Sequence, residues 1–348
     1  MDGATQVLLA RYQQGDRNFR GEDLTGINLS GLTLKGADFS RAQLDFANLS
    51  RTHLEYCIFD RTILYGADLS FSKLDYAQLT NSNLTKANLT GASLVRSDLT
   101  HAKLSGSILR GVSLRHSNLD QVNLCGTNLQ GINLRSSNLN GSDLSWADLR
   151  GARLSGASLQ GTNLAHAKLA RAFLNGVDLN GMDLDGVNLS EARLNGVTLV
   201  GANLRAANLT RVQMRVTDLT RTILVGANLA EADLCRSALV GTQVERADLS
   251  GANLTGAWVQ DTDLEQATVE EVTLDHVVWD GELSDFWDGR PYVQSKAVAI
   301  AQSLQRRSKH RPEHRPEDSS EHSPEPNPDH SPERRQKRFP WQRWAWAV

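Results

Sequence analysis

The sequence predicts an all-β solenoid, a fold in which one short structural unit repeats along a rod. The first observation is a leucine at every fifth position from Leu24 to Leu274, 51 positions without a change of phase. The only other residues in that track are Phe39, Phe59, Met214, Val244, Val259 and Val269. The second observation is a small residue, mostly Ala, Ser, Thr or Val, two positions before each leucine. A period of five fits neither an α-helix nor a flat strand, so it indicates a repeat architecture.

Each five-residue unit is interpreted as a short extended piece followed by a turn. The leucine and the small residue lie two positions apart, so they share one face of an extended chain. Glycine often follows the leucine by two positions, as at Gly26, Gly91 and Gly201, and glycine readily adopts the positive φ of many turns. Stacked coils about 4.8 Å apart would bury both tracks in columns inside the rod.

The repeated A-(D/N)-L-x-x pattern, for example at residues 67–69 and 87–89, resembles the pentapeptide-repeat proteins over residues 23–280. The run LLARYQQGDRNFRG near the N-terminus is similar to the lead-in of cyanobacterial members. The resemblance implies a right-handed quadrilateral β-helix with four pentapeptides in each coil, so equivalent positions should recur every twenty positions. Phe19, Phe39 and Phe59 recur at that spacing.

Residues 4–14 are predicted to form a short amphipathic helix that ends at Gly15. Val7, Leu8, Arg11 and Tyr12 are spaced to share one of its faces. A β-solenoid has unpaired backbone groups at each end, and a terminal helix can cover that edge. Glu22 occupies a small-residue position where burial would be costly, so we expect the regular interior to begin after it.

The chain after Trp279 changes character twice. Residues 291–307 are predicted to form a second helix with apolar residues on one side, while residues 308–338 are rich in Pro, Glu, His and Ser and nearly devoid of apolar residues. We therefore predict five segments: an N-terminal capping helix at 1–16, a pentapeptide-repeat β-helix at 17–281, a C-terminal cap with a helix at 282–307, a disordered linker at 308–338 and a Trp-rich tail motif at 339–348.

Two groups of aromatic residues are candidates for binding a partner. Five lie at predicted outward positions within two coils, namely Phe46, Tyr56, Tyr65, Phe71 and Tyr76. Exposed aromatic residues are enriched at interaction surfaces, although stacking along the rod is an alternative explanation. Three more lie in the tail behind a basic cluster, Trp341, Trp344 and Trp346. These could dock on a protein, contact an anionic membrane surface, or fold back onto Trp279 or Trp287.

Composition and motifs exclude several functional classes. The net charge of −3 gives no reason to expect nucleic-acid binding. The three cysteines lie far apart, and the scattered histidines lack metal-ligand spacing, so we expect no metal and no cofactor. We recognise no signal peptide and no apolar run long enough for a membrane helix, which suggests a cytoplasmic protein that is at most peripheral at a membrane.

Three functions remain as alternatives for such a rod. The preferred one is a non-enzymatic protein–protein interaction scaffold or regulator, because the interior is filled with apolar side chains and no nucleophile–base set can be placed in a cavity. The resemblance also implies a DNA mimic that binds a type II topoisomerase. Residues 1–305 carry 27 Lys and Arg against 33 Asp and Glu, a weakly acidic balance for that role. The third is a peripheral membrane scaffold that uses the Trp/Arg tail, and end-to-end pairing of two rods is also left open.

Overall fold

A ladder of parallel backbone bridges runs through the protein and joins most residues that precede a leucine to the residue twenty positions later. The structure is a computed structural model, and it describes residues 2–279. Asn18 bridges Asp38, Asp38 bridges Ile58, and every other isolated bridge has the same offset. Each coil therefore consists of four pentapeptides, so the chain is a β-helix.

A turn follows each leucine and closes with a hydrogen bond back to its carbonyl oxygen. The amide of Ala37, for example, donates to the Leu34 oxygen over 3.2 Å. The second residue after the leucine has positive φ, as a type II turn requires. This conformation is adopted by glycines such as Gly36 and also by non-glycine residues such as Arg41 and Tyr56, whose φ angles are 59° and 64°. The sequence had associated this position only with glycine.

The interior consists of the two predicted tracks. The leucines and the small residues before them are almost completely buried, and Phe19, Phe39 and Phe59 stack with ring centroids 5.3 and 5.4 Å apart. Most buried hydroxyls are satisfied locally; that of Thr52 donates to the Leu29 oxygen one coil earlier. Leu32 and Met182, two large residues in the small track, are only partly buried. The wall is therefore slightly open where a large residue replaces a small one.

Regular strands and one irregular turn occur towards the end of the described residues. Strands β1 (Ala238–Val240), β2 (Trp258–Gln260) and β3 (Val278–Trp279) pair in parallel in that order. A 3₁₀ helix at Leu264–Gln266 replaces the usual turn, and the amide of Arg246 bonds to the oxygen of Gln266. The oxygen that pairs with the Arg246 amide therefore lies one residue further along the chain than in the other turns. The leucine phase of the sequence nevertheless does not change.

The N-terminal helix α1 spans Gly3–Gln13, one residue earlier than predicted. Asp2 caps it by accepting a hydrogen bond from the Thr5 amide over 2.7 Å. Thr5 and Leu8 are buried, whereas Val7 is 63% exposed. The prediction that Val7 belongs to the buried face was wrong, because the spacing of apolar residues did not reveal that Thr5 would face the coil.

Side chains of α1 bond to backbone oxygens that have no preceding coil. Thr5, Arg11 and Tyr12 donate to the oxygens of Asn28, Asn18 and Lys35, each over 3.0 Å. One coil later, an equivalent oxygen, that of Asn48, accepts from the Leu29 amide instead. The side chains of α1 thus supply hydrogen bonds that a preceding coil would otherwise make.

Glu22 is also explained by this helix. Its carboxylate is 2.9 Å from the Arg11 guanidinium and remains partly exposed. Because the charge is paired at the rim, the predicted cost of burying Glu22 is not incurred.

Two seams interrupt the backbone ladder. In the first, the amides of Gly106, Leu109 and Gly111 make no hydrogen bond to any residue within 2–279, and the bridge from Ile108 to Asn128 is missing. In the second, the same holds for Gly156, Leu159, Gly161, Leu164 and His166. The buried hydroxyl of Thr127, which lies across the first seam, likewise lacks a partner. The coils are therefore joined less firmly at these two places.

We expect the seam amides to exchange with solvent deuterium much faster than their neighbours, because exchange requires an open hydrogen bond. The matched controls lie one coil later. The amides of Gly126 and Leu129 each donate over 2.8 Å, and that of Gly131 donates over 3.0 Å. Native-state hydrogen exchange read at residue resolution tests this. Equal protection of Leu109 and Leu129 would show that the first seam is closed in solution.

Candidate interaction surface

Four of the five predicted aromatic residues of the rod occupy the same place in the repeat. Phe46, Tyr56, Phe71 and Tyr76 are the second residue after a leucine, with φ between 55° and 64°. Tyr65 is the first residue of its turn and is partly exposed. The other four are among the most exposed large apolar residues, and Phe46 is 63% exposed. Positive φ costs roughly 1–2 kcal/mol for a residue with a Cβ, so these rings are held outward at some cost in stability.

The five rings lie on three different corners of the rod rather than on one patch. A corner here means a column of turn residues stacked one coil above another. The Phe46 corner contains Phe46, Tyr65 and Lys86; the Phe71 corner contains Arg51, Phe71 and Gly91; the Tyr76 corner contains Tyr56, Tyr76 and Arg96. A single flat partner therefore cannot cover all five rings, whereas a partner that wraps the rod can.

Corner side chains lean onto the next coil. The ring of Phe46 meets Tyr65 edge to face at 5.5 Å, and Tyr56 stacks on Tyr76 at 5.0 Å. Phe71 covers Gly91 so closely that a Cβ built on the glycine would lie 2.7 Å from the ring. The corner rings therefore stack along the rod, as the alternative explanation from the sequence proposed, and they are exposed to solvent as well.

Each corner also carries a cation near an aromatic ring. The centroid distances are 6.0 Å from Arg51 to Phe71, 5.4 Å from Lys86 to Tyr65 and 5.8 Å from Arg96 to Tyr76. A hydrogen bond with the Tyr65 hydroxyl raises the pKa of Lys86. A shallow cavity of about 460 Å³ adjoins the Phe71 corner and is lined by Ser30, Gly31, Ser50, Ser70, Arg51 and Phe71.

Sequence reasoning missed another aromatic residue at a corner position. Trp146 is 63% exposed, has φ of 59°, and lies 4.2 Å from the His166 ring. It occupies the Phe46 corner, five coils further along the chain. Trp146 could have been found from the sequence by following the column of Phe46 beyond the first coils.

The repeat model for pentapeptide repeats matches overlapping copies that together span residues 23–266. The chain belongs to the pentapeptide-repeat family. No curated protein is significantly similar to the chain.

Several pentapeptide-repeat structures are similar to the chain. HetL, involved in heterocyst differentiation regulation in the cyanobacterium Nostoc sp. strain PCC 7120, is 27% identical over 78% of this chain and 92% of its own, with a TM-score of 0.20. A pentapeptide repeat protein from the Arabidopsis thaliana thylakoid lumen is 32% identical over 32% of this chain and 71% of its own, with a TM-score of 0.25. Trypsin-treated QnrB1, a plasmid-mediated fluoroquinolone resistance protein, is 20% identical over 51% of this chain and 89% of its own, with a TM-score of 0.42.

On this pentapeptide-repeat rod, Arg171, Glu191, Arg211 and Glu231 form a column of alternating charge at twenty-residue intervals, and the column consists of two separate ion pairs. Arg171 binds Glu191 through two hydrogen bonds of 2.9 and 3.1 Å, and Arg211 binds Glu231 through two of 2.8 and 2.9 Å. The hydrogen bonds from Arg171 lower the pKa of the Glu191 carboxyl. Exposed pairs of this kind contribute roughly 0–1 kcal/mol each, so the column is best explained as local support of the wall.

The described part of this pentapeptide-repeat protein offers no arrangement for metal binding. Within residues 2–279, no group of three or more His, Cys, Asp or Glu residues could hold a metal ion. Cys57 is buried, and burial raises the pKa of its thiol to about 12.

None of the helices within residues 2–279 is long and apolar enough to cross a membrane. The predicted tail residues Trp341, Trp344 and Trp346, and the segments 282–307, 308–338 and 339–348, lie outside the described residues.

The close contact between Phe71 and Gly91 leads to a prediction about stability. Gly91→Ala is expected to cost about 1 kcal/mol more than Gly131→Ala, because the new methyl displaces the Phe71 ring. The two glycines have φ of 67° and 64°, so the backbone strain is matched, and a Cβ on Gly131 meets nothing within 4 Å. Chemical denaturation measures the difference. In a Phe71→Ala background the two substitutions should become equal, and a persistent gap would mean that the ring is not the cause.

Proposed function

We propose that this chain is a non-enzymatic, rigid scaffold that binds a protein partner through the aromatic corners between residues 46 and 76. The observation that carries the proposal is the group of large exposed rings within two coils, since exposed aromatic residues are enriched at interaction surfaces. Large exposed rings also lose little conformational entropy when they are buried by a partner.

A scaffold of this kind requires a straight, closed rod. We infer that the four turns of each coil form the right-handed quadrilateral that the family resemblance implies. We further infer that α1 acts as a cap, supported by its hydrogen bonds to the first coil, and that the five predicted segments are the domain organisation. A rigid rod fixes the spacing of its corners, which favours selective binding.

An enzymatic role has little support in the described residues. The interior columns contain leucine and small residues, and the cavity at the Phe71 corner is shallow and lined by serines. Hydroxyls without a neighbouring base are poor nucleophiles.

The DNA-mimic alternative, with a type II topoisomerase as partner, is less favoured. A mimic of the DNA backbone needs dense negative charge along the rod, whereas the exposed corners here carry Arg51, Lys86 and Arg96. The ion pairs of Arg171 and Arg211 neutralise two of the exposed glutamates.

A role for the tail is a second component of the proposal. Trp341, Trp344 and Trp346 follow Arg334, Arg335, Lys337 and Arg338. Tryptophan beside basic residues suits either a protein hot spot or an anionic membrane surface. We place the protein in the cytoplasm, with the membrane contact as an alternative tested by vesicle binding of the full chain and of a chain lacking residues 339–348.

The scaffold proposal is tested by capturing partners on the full chain and on a Phe46→Ala, Phe71→Ala, Tyr76→Ala variant. Alanine keeps a Cβ at each corner, so the backbone strain stays similar. The matched control changes Gln121, Ser136 and Arg221 to Ala, three other corner residues with φ of 54°, 55° and 57°. We expect partners to be lost only from the aromatic variant, at unchanged melting temperature. Equal capture by all three proteins would overturn the proposal.

A further inference from the structure

Resting on the proposed scaffold function, we infer that the partner presents an acidic polypeptide segment whose carboxylates bind Arg51, Lys86 and Arg96. These three cations lie on the three aromatic corners, and each is exposed beside a ring that is also accessible. An acidic segment with interspersed apolar residues would contact both chemical groups at every corner. Cation and ring together form a combined recognition element for such a segment.

The first observation in favour is that these three cations have no acidic partner. Within residues 2–279, none of them forms an ion pair, although ten ion pairs occur elsewhere in that range. Arg171 and Arg211, at equivalent positions in the repeat, are each bound by a glutamate one coil later. Corner arginines of later coils, such as Arg221, Arg236 and Arg246, also form no ion pair within residues 2–279. Arg51, Lys86 and Arg96 differ from these in lying beside an exposed aromatic ring.

The second observation is that carboxylates in the same coils are engaged by the wall. Asp60 accepts a hydrogen bond from the Thr80 hydroxyl over 3.0 Å, and Asp75 accepts one from the Val95 amide over 2.9 Å. Asp98 accepts from the Thr100 amide over 3.0 Å. These carboxylates hold turns together, and none of them pairs with Arg51, Lys86 or Arg96; Asp60 lies 3.9 Å from Arg61 instead.

The third observation is the cavity beside Arg51. Ser30, Ser50 and Ser70 line it in one column, each one coil from the next. The Ser50 hydroxyl already donates to Asn48, whereas those of Ser30 and Ser70 have no hydrogen-bond partner among the described residues. Two available hydroxyl donors beside a guanidinium match the acceptor geometry of a carboxylate, which accepts several hydrogen bonds.

A nucleic acid would also be attracted by cations, but the arrangement favours a peptide. Binding a phosphate backbone relies on many cations along one continuous track. Here three cations lie on three corners, and carboxylates such as Asp60 and Asp75 lie between them. The aromatic rings at each corner can shelter apolar side chains, which a polypeptide supplies.

The experiment titrates the full-length protein with a short fluorescent poly-glutamate peptide and follows anisotropy at low and at moderate salt. We expect binding that salt weakens, and at least a tenfold loss of affinity in an Arg51→Gln, Lys86→Gln, Arg96→Gln variant. The control Arg171→Gln, Arg211→Gln removes two corner cations that are already paired and should bind like the parent. Poly-lysine should not bind, and single-stranded DNA of matched length should bind more weakly than poly-glutamate.

Several outcomes would overturn the inference: no poly-glutamate binding, equal loss in both variants, or DNA binding as tight as that of the peptide. Capture of partners by the two variants distinguishes the scaffold proposal from the proposal of an acidic partner. If the Phe46, Phe71 and Tyr76 alanine variant loses a partner that the Arg51, Lys86 and Arg96 glutamine variant keeps, the scaffold function stands and the acidic partner is wrong. If both variants keep every partner, both proposals fail.

Discussion

Leu144→Lys is expected to destabilise the rod by several kcal/mol, the largest effect of any single substitution considered. The side chain of Leu144 is completely buried in its column. The substitution removes roughly 2 kcal/mol of apolar burial and places an ammonium in a column of buried leucines. An unpaired buried charge adds several kcal/mol of desolvation. Thermal and urea denaturation of the full chain measure the total.

The matched control is Gln160→Lys, which puts the same side chain on an exposed turn near Leu144 in the sequence. Gln160 is the first residue of its turn, so no positive φ is involved. We expect its effect to stay within about 0.5 kcal/mol, as is usual for surface positions. If Gln160→Lys proved the more damaging of the two, the assignment of inside and outside would be reversed.

The position of Leu144 also makes the effect local. In a solenoid each coil contacts only its neighbours, so damage in one coil need not unfold distant coils. We therefore expect proteolysis of the variant to begin near residue 144, while coils near α1 remain protected. Uniform cleavage along the rod would show that the coils unfold together.

The rod could be predicted from the sequence because its information is redundant. The leucine track identifies the interior at every fifth residue, and repeated residues such as Phe19, Phe39 and Phe59 reveal the length of the coil. Both features depend on side chains that are buried in columns, and a column tolerates few alternatives. The buried half of the fold is therefore encoded directly in residue type.

The seams and the irregular turn could not be predicted from the same pattern. Leu109 and Leu129 occupy identical positions in the repeat, yet only the second has its hydrogen bond to the next coil. The 3₁₀ turn at Leu264–Gln266 occurs with the leucine phase intact. These differences depend on how closely neighbouring coils pack against one another. The pattern of residue types along the chain does not contain that distance.

The candidate surface was predicted in part. The sequence identified Phe46, Phe71 and Tyr76 as outward, and the structure places them outside. The sequence analysis did not assign the rings to different corners, although grouping residues by their position within the twenty-residue coil would have done so. It also missed Trp146 and the association of each ring with a cation, because the direction in which a corner side chain leans is set by positive φ and by the coil that follows.

Deleting residues 151–170 is expected to leave a folded rod one coil shorter, because the deletion removes one whole coil and restores the pairing of every column. The carbonyls of the coil that begins at Arg171 would then accept hydrogen bonds from the coil that ends at Arg150. Trp146 would lie over Gly186, in the manner that Phe46 lies over Gly66. We expect a cooperative transition with a melting temperature close to that of the parent, since stability in such arrays is nearly a sum over coils.

Deleting residues 151–168 instead is a slightly smaller cut but should be far more harmful. It places Leu169 two positions after Leu149, so one turn cannot form and a leucine is forced to a corner. Because one turn is lost and the next coil cannot close, we expect the loss of one coil interface at least, and with it a much lower melting temperature or two separate transitions. Circular dichroism during heating compares the two deletions. Equal melting temperatures would mean that the columns tolerate a break in phase, which the burial of leucine at every fifth position makes physically implausible.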